Sequence, residues 1–278
     1  MIKEFCCLIF VICIPFTITA AYAKADNVSL LIIQPKGCVT CDTETAVKFL
    51  KRELPGLSIS YLYYPDKKAD SLVRNLGILG LPAYLLGKEV EKAKNFAALK
   101  RNLQLKGDFY ILRPQFSGFS YFVGRQKLKG KLDLFISLYD KESPKLLEAV
   151  KEFNPSIHFL AVEQAGRFDA AKGELEVEDY LRAVCIQKYY PQDFWNYISC
   201  RAKNIGTSWW ESCLPKIDMD KLRSCALGQE GRILLKQNTS LNKELQIMFG
   251  PTYLLDNQEI FASNGAPTKE ELRKIIKR

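Results

Sequence analysis

The sequence predicts an α/β fold in which two similar units follow one another and the second carries a helical insertion. Apolar segments typical of buried strands alternate with segments whose apolar residues recur at helical spacing. A proline heads an apolar strand twice, in Pro82-Ala83-Tyr84-Leu85-Leu86 and in Pro251-Thr252-Tyr253-Leu254-Leu255. Proline cannot donate to a sheet ladder, so it belongs at a strand start, and X-Pro bonds are where cis peptides occur. The repeat therefore indicates one fold present twice.

The first unit has the element order strand, helix, strand, helix and proline-headed strand. A strand is predicted at 28–33, a helix begins at Asp42, and an alternating strand follows at 57–63. After the proline-headed strand, the segment Gly87 to Val90 is predicted to turn into a further strand, and a capped helix starts at Asn95.

A pair of cysteines, Cys38 and Cys41, lies between the first strand and the first helix. A helix N-terminus offers unpaired N–H groups and partial positive charge, which stabilise a thiolate. We therefore predict Cys38 as the nucleophile and Cys41 as the resolving thiol. A static disulfide and half of a zinc site remain as alternatives. A zinc site needs two more ligands, whereas the only histidine is His158 and the next cysteine is Cys185, so no metal is expected.

A strand that leads through a dithiol into a helix, followed by a proline-headed strand, resembles the thioredoxin family. The resemblance implies that Pro82 is cis and lies against the dithiol, and that the backbone of Leu81 and Pro82 holds an extended substrate. It makes the fold class two thioredoxin folds in tandem, at residues 24–106 and 131–278. Residues 107–130 are expected to form a hairpin-like connection between them.

The second unit lacks the dithiol. Its strand at 132–138 leads to Asp140-Lys141-Glu142-Ser143, which contains no sulfur, so we expect no thiol exchange there. From Ser143 to Pro251 is 108 positions, whereas from Cys41 to Pro82 in the first unit is 41. The second unit therefore has a surplus of 67 residues. Helical spacing places this surplus at about 176–241.

The insert contains four cysteines, which we interpret as structural: Cys185, Cys200, Cys213 and Cys225. Two disulfides would stabilise short helices, and the sequence leaves the three possible pairings open. A helical insertion before the proline-headed strand resembles the DsbA family of periplasmic disulfide oxidoreductases. The cysteine segments are also similar to gamma-interferon-inducible lysosomal thiol reductase.

Residues 1–23 are predicted to be a cleaved signal peptide, because an apolar run follows Lys3 and ends in the small-x-small motif Ala21-Tyr22-Ala23. An uncleaved anchor is the alternative. Export would place the remaining cysteines in an oxidising compartment, periplasmic or extracellular, where an even number implies pairing. The net charge of +9 is scattered among acidic residues, so no nucleic-acid partner is predicted.

The resulting hypothesis is an exported thiol-disulfide oxidoreductase that uses the first dithiol and no cofactor. Its partners would be exported protein substrates and an unidentified redox partner. The second unit would bind substrate or form a homodimer. The alternative is a non-enzymatic binding protein, either a chaperone or a copper carrier that uses the same cysteine pair.

Overall fold

The structure is a computed structural model that describes residues 27–38, 40–214, 216–262 and 267–276. The predicted signal peptide, residues 1–23, lies outside these ranges. Within them, no helix combines the length and the apolar character that a membrane crossing requires. The strands form two mixed sheets and one separate two-stranded hairpin.

The first half of the chain supplies seven strands and four helices in the described residues. In chain order these are β1 (Ser29–Pro35), α1 (Glu44–Glu53), β2 (Ser58–Tyr64), α2 (Lys67–Asn75), β3 (Gly80–Leu81), β4 (Ala83–Gly87), α3 (Phe96–Leu99), β5 (Leu103–Lys106), β6 (Phe109–Leu112), α4 (Pro114–Ser117) and β7 (Tyr121–Phe122).

The first sheet is built around β1, in the spatial order β2-β1-β4-β6-β5. Strand β2 runs parallel to β1, and β4 runs antiparallel to it. Side chains alternate along β1, so Ile32 packs into one core with Leu50 of α1, while Ile33 packs into another with Val73 of α2. Both faces of β1 are therefore covered, which explains its nearly continuous apolar sequence.

The second half repeats this arrangement around β8. Its elements are β8 (Leu132–Ile136), α5 (Ser143–Val150), β9 (Ser156–Phe159), β10 (Ala161–Gln164), β11 (Arg167–Ala170), α6 (Glu174–Tyr189), α7 (Phe194–Lys203), α8 (Met219–Leu227), α9 (Gln229–Leu245), β12 (Thr252–Leu255), β13 (Glu259–Ala262) and α10 (Lys269–Ile276). Strand β9 is parallel to β8, whereas β12 is antiparallel to both β8 and β13. The predicted α/β class is confirmed.

The second sheet also contains two strands from the first half, because its order is β3-β7-β13-β12-β8-β9. Tyr121 of β7 pairs with Glu259 of β13, and Leu81 of β3 pairs with Tyr121. The two halves are thus joined by backbone pairing. A tandem of two domains remains a prediction.

The structure corrects two sequence expectations near the end of the first unit. Lys88–Lys92 is a short 3-10 helix, not a strand, because Glu89 turns back to accept hydrogen bonds from the backbone N–H and hydroxyl of Ser29. The next strand of the first sheet is instead β6, which pairs with β4. The first sheet therefore extends beyond the predicted boundary at Lys106, into the segment assigned to the connection.

Helices α6 to α9 form the insert, which spans Glu174 to Leu245 and so exceeds the predicted 176–241 by a few residues. A buried ion pair links Asp179 of α6 to Arg201 of α7, with 2.8 Å between Oδ2 and Nη2. The hairpin of β10 and β11 precedes the insert and was not predicted. At the start of α10, Thr268 and Glu271 form a capping box, since the Glu271 N–H donates to the Thr268 hydroxyl and the Thr268 N–H to the Glu271 carboxylate.

Asparagines of α9 cover the outer edge of β9, the last strand of the second sheet. The Asn238 amide accepts a hydrogen bond from the Phe159 N–H at 2.8 Å and donates one to the Ile157 carbonyl at 2.6 Å. Asn242 donates to the Phe159 carbonyl at 2.7 Å. His158 lies between the Asn238 carbonyl and the buried Asp133 carboxylate, each at 2.8 Å, which is a structural role. These side chains replace the missing neighbouring strand.

Replacing Asn238 with Ala should lower the free energy of unfolding by about 2 kcal/mol, because the N–H of buried Phe159 and the carbonyl of buried Ile157 lose their partners. Gln237→Ala is the matched control, since Gln237 is exposed on the same helix. Urea denaturation of both variants would measure the difference. Equal stabilities would contradict the edge-covering role of Asn238.

Candidate functional site

The predicted dithiol lies in the loop that follows β1. Cys38 and Cys41 form a disulfide with an S–S distance of 1.98 Å and a Cα–Cα distance of 5.5 Å. Both residues are half-buried, and neither belongs to a buried core cluster of the first half. Within the described residues, no group of three or more His, Cys, Asp or Glu side chains could hold a metal ion.

Helix α1 begins two residues later than predicted, at Glu44 instead of Asp42. The Asp42 carboxylate accepts a hydrogen bond from the Glu44 N–H at 2.8 Å, and the Thr45 hydroxyl donates to it at 3.3 Å. The helix start is therefore already occupied by a negative charge. Because dipole effects decay within the first turn, Cys38 gains less from the helix than the sequence indicated.

Thr40 is a polar neighbour of Cys38, the predicted nucleophile, and its role has no clear signal in the sequence. Its hydroxyl oxygen lies 3.5 Å from the Cys38 sulfur. In the reduced protein a hydroxyl at this position can donate to a thiolate, and hydrogen bonds to charged groups are the stronger kind. The only sequence signal was its place between the two cysteines.

Pro82 lies at the same end of the first sheet as the dithiol. Its peptide bond to Leu81 is cis, as predicted. The register pairs Ala83 of β4 with Ile33 of β1, so the chain around Pro82 is next to the end of β1 that leads to Cys38. The structure thus places the predicted cysteines and the predicted proline at one end of the first sheet.

The backbone of Leu81, which we expected to hold a substrate strand, is already paired within the chain. Its carbonyl accepts a hydrogen bond from the Ser120 N–H at 2.8 Å, and its side chain is fully buried. The carbonyl of Leu79 accepts from the Val123 N–H at 2.9 Å. A cleft of 410 Å³ runs beside Pro82, with walls that include Gly80, Phe119, Phe122 and Leu245.

Tyr84 lies in the core beneath this edge. It is fully buried, and its hydroxyl has no hydrogen-bond partner among the described residues. Burial raises the pKa of Tyr84, and the nearby negative charge of Asp42 adds to the increase. The residue stays neutral, and it contributes apolar packing at the cost of an unpaired hydroxyl.

The corresponding loop of the second half carries a polar network. The buried Glu176 carboxylate of α6 accepts hydrogen bonds from the hydroxyls of Ser137 and Tyr180. The Tyr139 hydroxyl donates to Asp179 at 2.9 Å, and burial followed by this negative charge raises the pKa of Tyr139 to about 12. The loop is thus fixed to the insert by carboxylates.

A second cis proline, Pro251, follows Gly250 in the second half. Next to it, a cleft of 390 Å³ is lined by residues that include Tyr139, Asp140, Met248 and Phe249. Phe249 is 83% exposed and Met248 is 60% exposed. The backbone of Gly250 makes no hydrogen bond to the part of the chain that the structure describes.

The insert cysteines form two disulfides, away from the dithiol loop. Cys185 of α6 pairs with Cys225 of α8, and both are buried. Cys200 of α7 pairs with Cys213, at the end of a short 3-10 helix. The two disulfides connect four helical segments in two pairs, α6 with α8 and α7 with the 3-10 helix, which suits a structural role.

Comparison with solved structures finds similar folds at low similarity. Proteus mirabilis ScsC in a transitional conformation is 18% identical, with a TM-score of 0.36 over 55% of this chain and 69% of that chain. A thioredoxin-like oxidoreductase from Silicibacter pomeroyi DSS-3 is 12% identical, with a TM-score of 0.37 over 53% of this chain and 84% of the other.

Proteus mirabilis DsbA with a non-covalently bound peptide is 9% identical, with a TM-score of 0.36 over 57% of this chain and 96% of the other. No protein-family model matches the chain, and no curated protein matches its sequence.

Replacing Thr40 with Val should slow alkylation of reduced Cys38 at neutral pH by about threefold to tenfold, because the thiolate loses a hydroxyl donor of nearly the same size. Thr45→Val is the control, since the Thr45 hydroxyl contacts Asp42 and not sulfur. Iodoacetamide kinetics with mass mapping would report the rate at Cys38. Equal slowing in both variants would assign the effect to the loop as a whole.

Replacing Tyr84 with Phe should raise the free energy of unfolding by about 1 kcal/mol, because an unpaired buried hydroxyl is removed. Tyr110→Phe should instead lower the free energy of unfolding, since the Tyr110 hydroxyl donates a hydrogen bond to Glu91 at 2.7 Å. Chemical denaturation of both oxidised proteins compares the two. A loss of stability in Tyr84→Phe would mean that its hydroxyl has a partner in solution.

Proposed function

We propose that the protein is an exported thiol-disulfide oxidoreductase that acts on protein substrates through Cys38 and Cys41. The observation that carries the proposal is the disulfide between these two half-buried residues, at the end of the first sheet that also holds cis Pro82. By contrast, Cys185 and Cys225 are buried, as inert structural cysteines usually are. The predicted signal peptide supports a periplasmic or extracellular location.

In the reducing direction, the Cys38 thiolate attacks one sulfur of a substrate disulfide. The substrate S–S bond breaks, one substrate thiolate leaves, and a mixed disulfide with Cys38 forms. The Cys41 thiolate then attacks the Cys38 sulfur, which releases the second substrate thiolate and leaves the Cys38–Cys41 disulfide. Two electrons pass to the substrate. The reverse steps oxidise a substrate dithiol, and the unidentified redox partner resets the pair.

In the second half, we propose a binding role without thiol chemistry. The exposed side chains of Met248 and Phe249 and the cleft beside them support this role. Unpaired backbone at Gly250 is a further contribution, since extended peptides add to open sheet edges. Homodimerisation through the same surface is the competing role.

Replacing Cys41 with Ser should trap substrate proteins on Cys38, because the resolving thiol is gone. Cys38→Ser is the matched control and should trap several-fold less material, since Cys41 is the secondary thiol. Both variants would be expressed with the leader, blocked with acid and alkylating reagent, and compared on non-reducing gels. Equal trapping would contradict the assignment of roles.

The two cysteine variants and the wild-type protein also distinguish an oxidoreductase from a copper carrier. If neither variant forms adducts and the wild-type protein instead binds one Cu(I) through the pair, a carrier function replaces the oxidoreductase. A redox titration of the full chain against glutathione then assigns the direction, since a potential below that of the compartment favours reduction of substrates.

A further inference from the structure

We propose that residues Phe119 to Val123, here called the strap, control which disulfides reach the Cys38–Cys41 pair. This inference rests on the proposed oxidoreductase function and adds a determinant of its specificity. The strap contains β7 and lies antiparallel to β3, with Gly80 opposite Phe122 and Leu81 opposite Tyr121. It occupies the sheet edge that precedes Pro82.

The strap uses the backbone groups that an incoming polypeptide would need. The Ser120 N–H donates to the Leu81 carbonyl at 2.8 Å, and the Val123 N–H donates to the Leu79 carbonyl at 2.9 Å. An extended chain can add to a sheet edge only where such groups are unpaired. Along Leu79 to Leu81, the chain has already added a strand of its own.

The strap lies near the end of β1 that leads to the dithiol. The ring of Tyr121 is 6.2 Å from that of Tyr64, and Tyr64 is opposite Pro35 at the end of β1. The Lys36 N–H donates to the Tyr64 carbonyl at 2.8 Å, two residues before Cys38. A polypeptide whose disulfide reaches Cys38 while its backbone follows β3 must therefore displace the strap.

The strap is less buried than β4, the strand that follows Pro82. Every residue from Phe119 to Val123 is half-buried, whereas all five residues of β4 are buried. Gly118 and Gly124 flank the strap with φ of +59° and +80°, and a Cβ added to either would meet no described atom within 4 Å. Such glycines let the backbone change direction at low cost. When a polypeptide displaces the strap, the carbonyls of Leu79 and Leu81 lose their hydrogen bonds from the strap and gain equivalent ones from the polypeptide.

The strap can leave β3 without leaving the protein. Its other edge is paired to the second half, since the Phe122 N–H donates to the Gln258 carbonyl and the Ile260 N–H to the Ser120 carbonyl, both at 2.8 Å. On the β3 side, the Phe119 ring lies so close to Gly80 that a Cβ there would be 2.5 Å from it. The Phe119 ring is thus one of the side-chain contacts that keep the strap on β3, beside those of Tyr121 and Val123 with the buried cluster around Leu81.

The consequence is a difference between substrate classes. An extended polypeptide competes with the strap for the carbonyls of Leu79 and Leu81, so its reaction is slowed. A small disulfide such as oxidised glutathione needs no sheet edge, and it reaches the half-buried Cys38 directly.

The first test replaces Phe119 with Ala in the full-length mature protein. Losing a half-buried aromatic contact of about 1 kcal/mol should raise the rate with a reduced or disulfide-bonded unfolded protein by about fivefold. The rate with glutathione should change by less than about twofold. Phe116→Ala is the matched control, since Phe116 is an exposed aromatic of α4 outside the strap, and both of its rates should equal those of the wild type.

The second test leaves the strap unaltered and uses Cys41→Ser with a cysteine-containing peptide bound to Cys38 as a mixed disulfide. Hydrogen exchange should accelerate at the amides of Ser120 and Val123, which face β3, and stay slow at Phe122, which faces β13. Unchanged exchange at Ser120 and Val123, or equal rate changes on both substrates in Phe119→Ala, would overturn the proposal. Absence of any reaction with glutathione in the wild type would instead refute the oxidoreductase function.

Discussion

The need to pair buried backbone groups at the end of β3 determines how the two halves of the chain meet. Leu81 is fully buried, so its carbonyl requires a partner, and Pro82 cannot supply an N–H to continue the ladder into β4. The chain therefore changes sheets at this proline. Strand β7 provides the missing partner on one side and reaches β13 on the other, which makes a two-residue strand the joint between the halves.

Both halves contain a parallel strand pair with an antiparallel strand beside it, and they differ in two features. In the first half, the dithiol is present and the edge before its cis proline is occupied. In the second half, the corresponding loop contains no cysteine and is hydrogen-bonded to Glu176 and Asp179 of α6. Gly250, before the other cis proline, makes no backbone hydrogen bond to the described residues. The cysteine pair and the unpaired backbone beside a cis proline are thus on different halves, as the proposed division between reaction and binding requires.

Local sequence signals predicted the parts of the fold that depend on local physics. The apolar runs identified β1 and β8, and the two prolines identified the sheet edges, because breakers and periodicity act over a few residues. Non-local features were missed. The turn of Glu89 back to Ser29 removed a predicted strand, and β6 replaced it from 20 residues further along. The pairing of the insert cysteines and the position of β7 both depend on residues far apart in the chain, and local sequence patterns do not indicate them. Of the candidate site, the cysteines and Pro82 were found, while Thr40 and the pairing of Leu81 were not.

The asparagine side chains that cover β9 also limit how the protein is best produced. Asn238-Thr239-Ser240 matches the acceptor motif for N-linked glycosylation, which a eukaryotic secretory pathway can modify while the chain is still unfolded. The amide nitrogen that would carry the sugar is the one that donates to the Ile157 carbonyl. A glycan there would leave the β9 edge uncovered and exclude α9 from its place. Expression in a bacterial periplasm avoids this modification and still allows the disulfides to form.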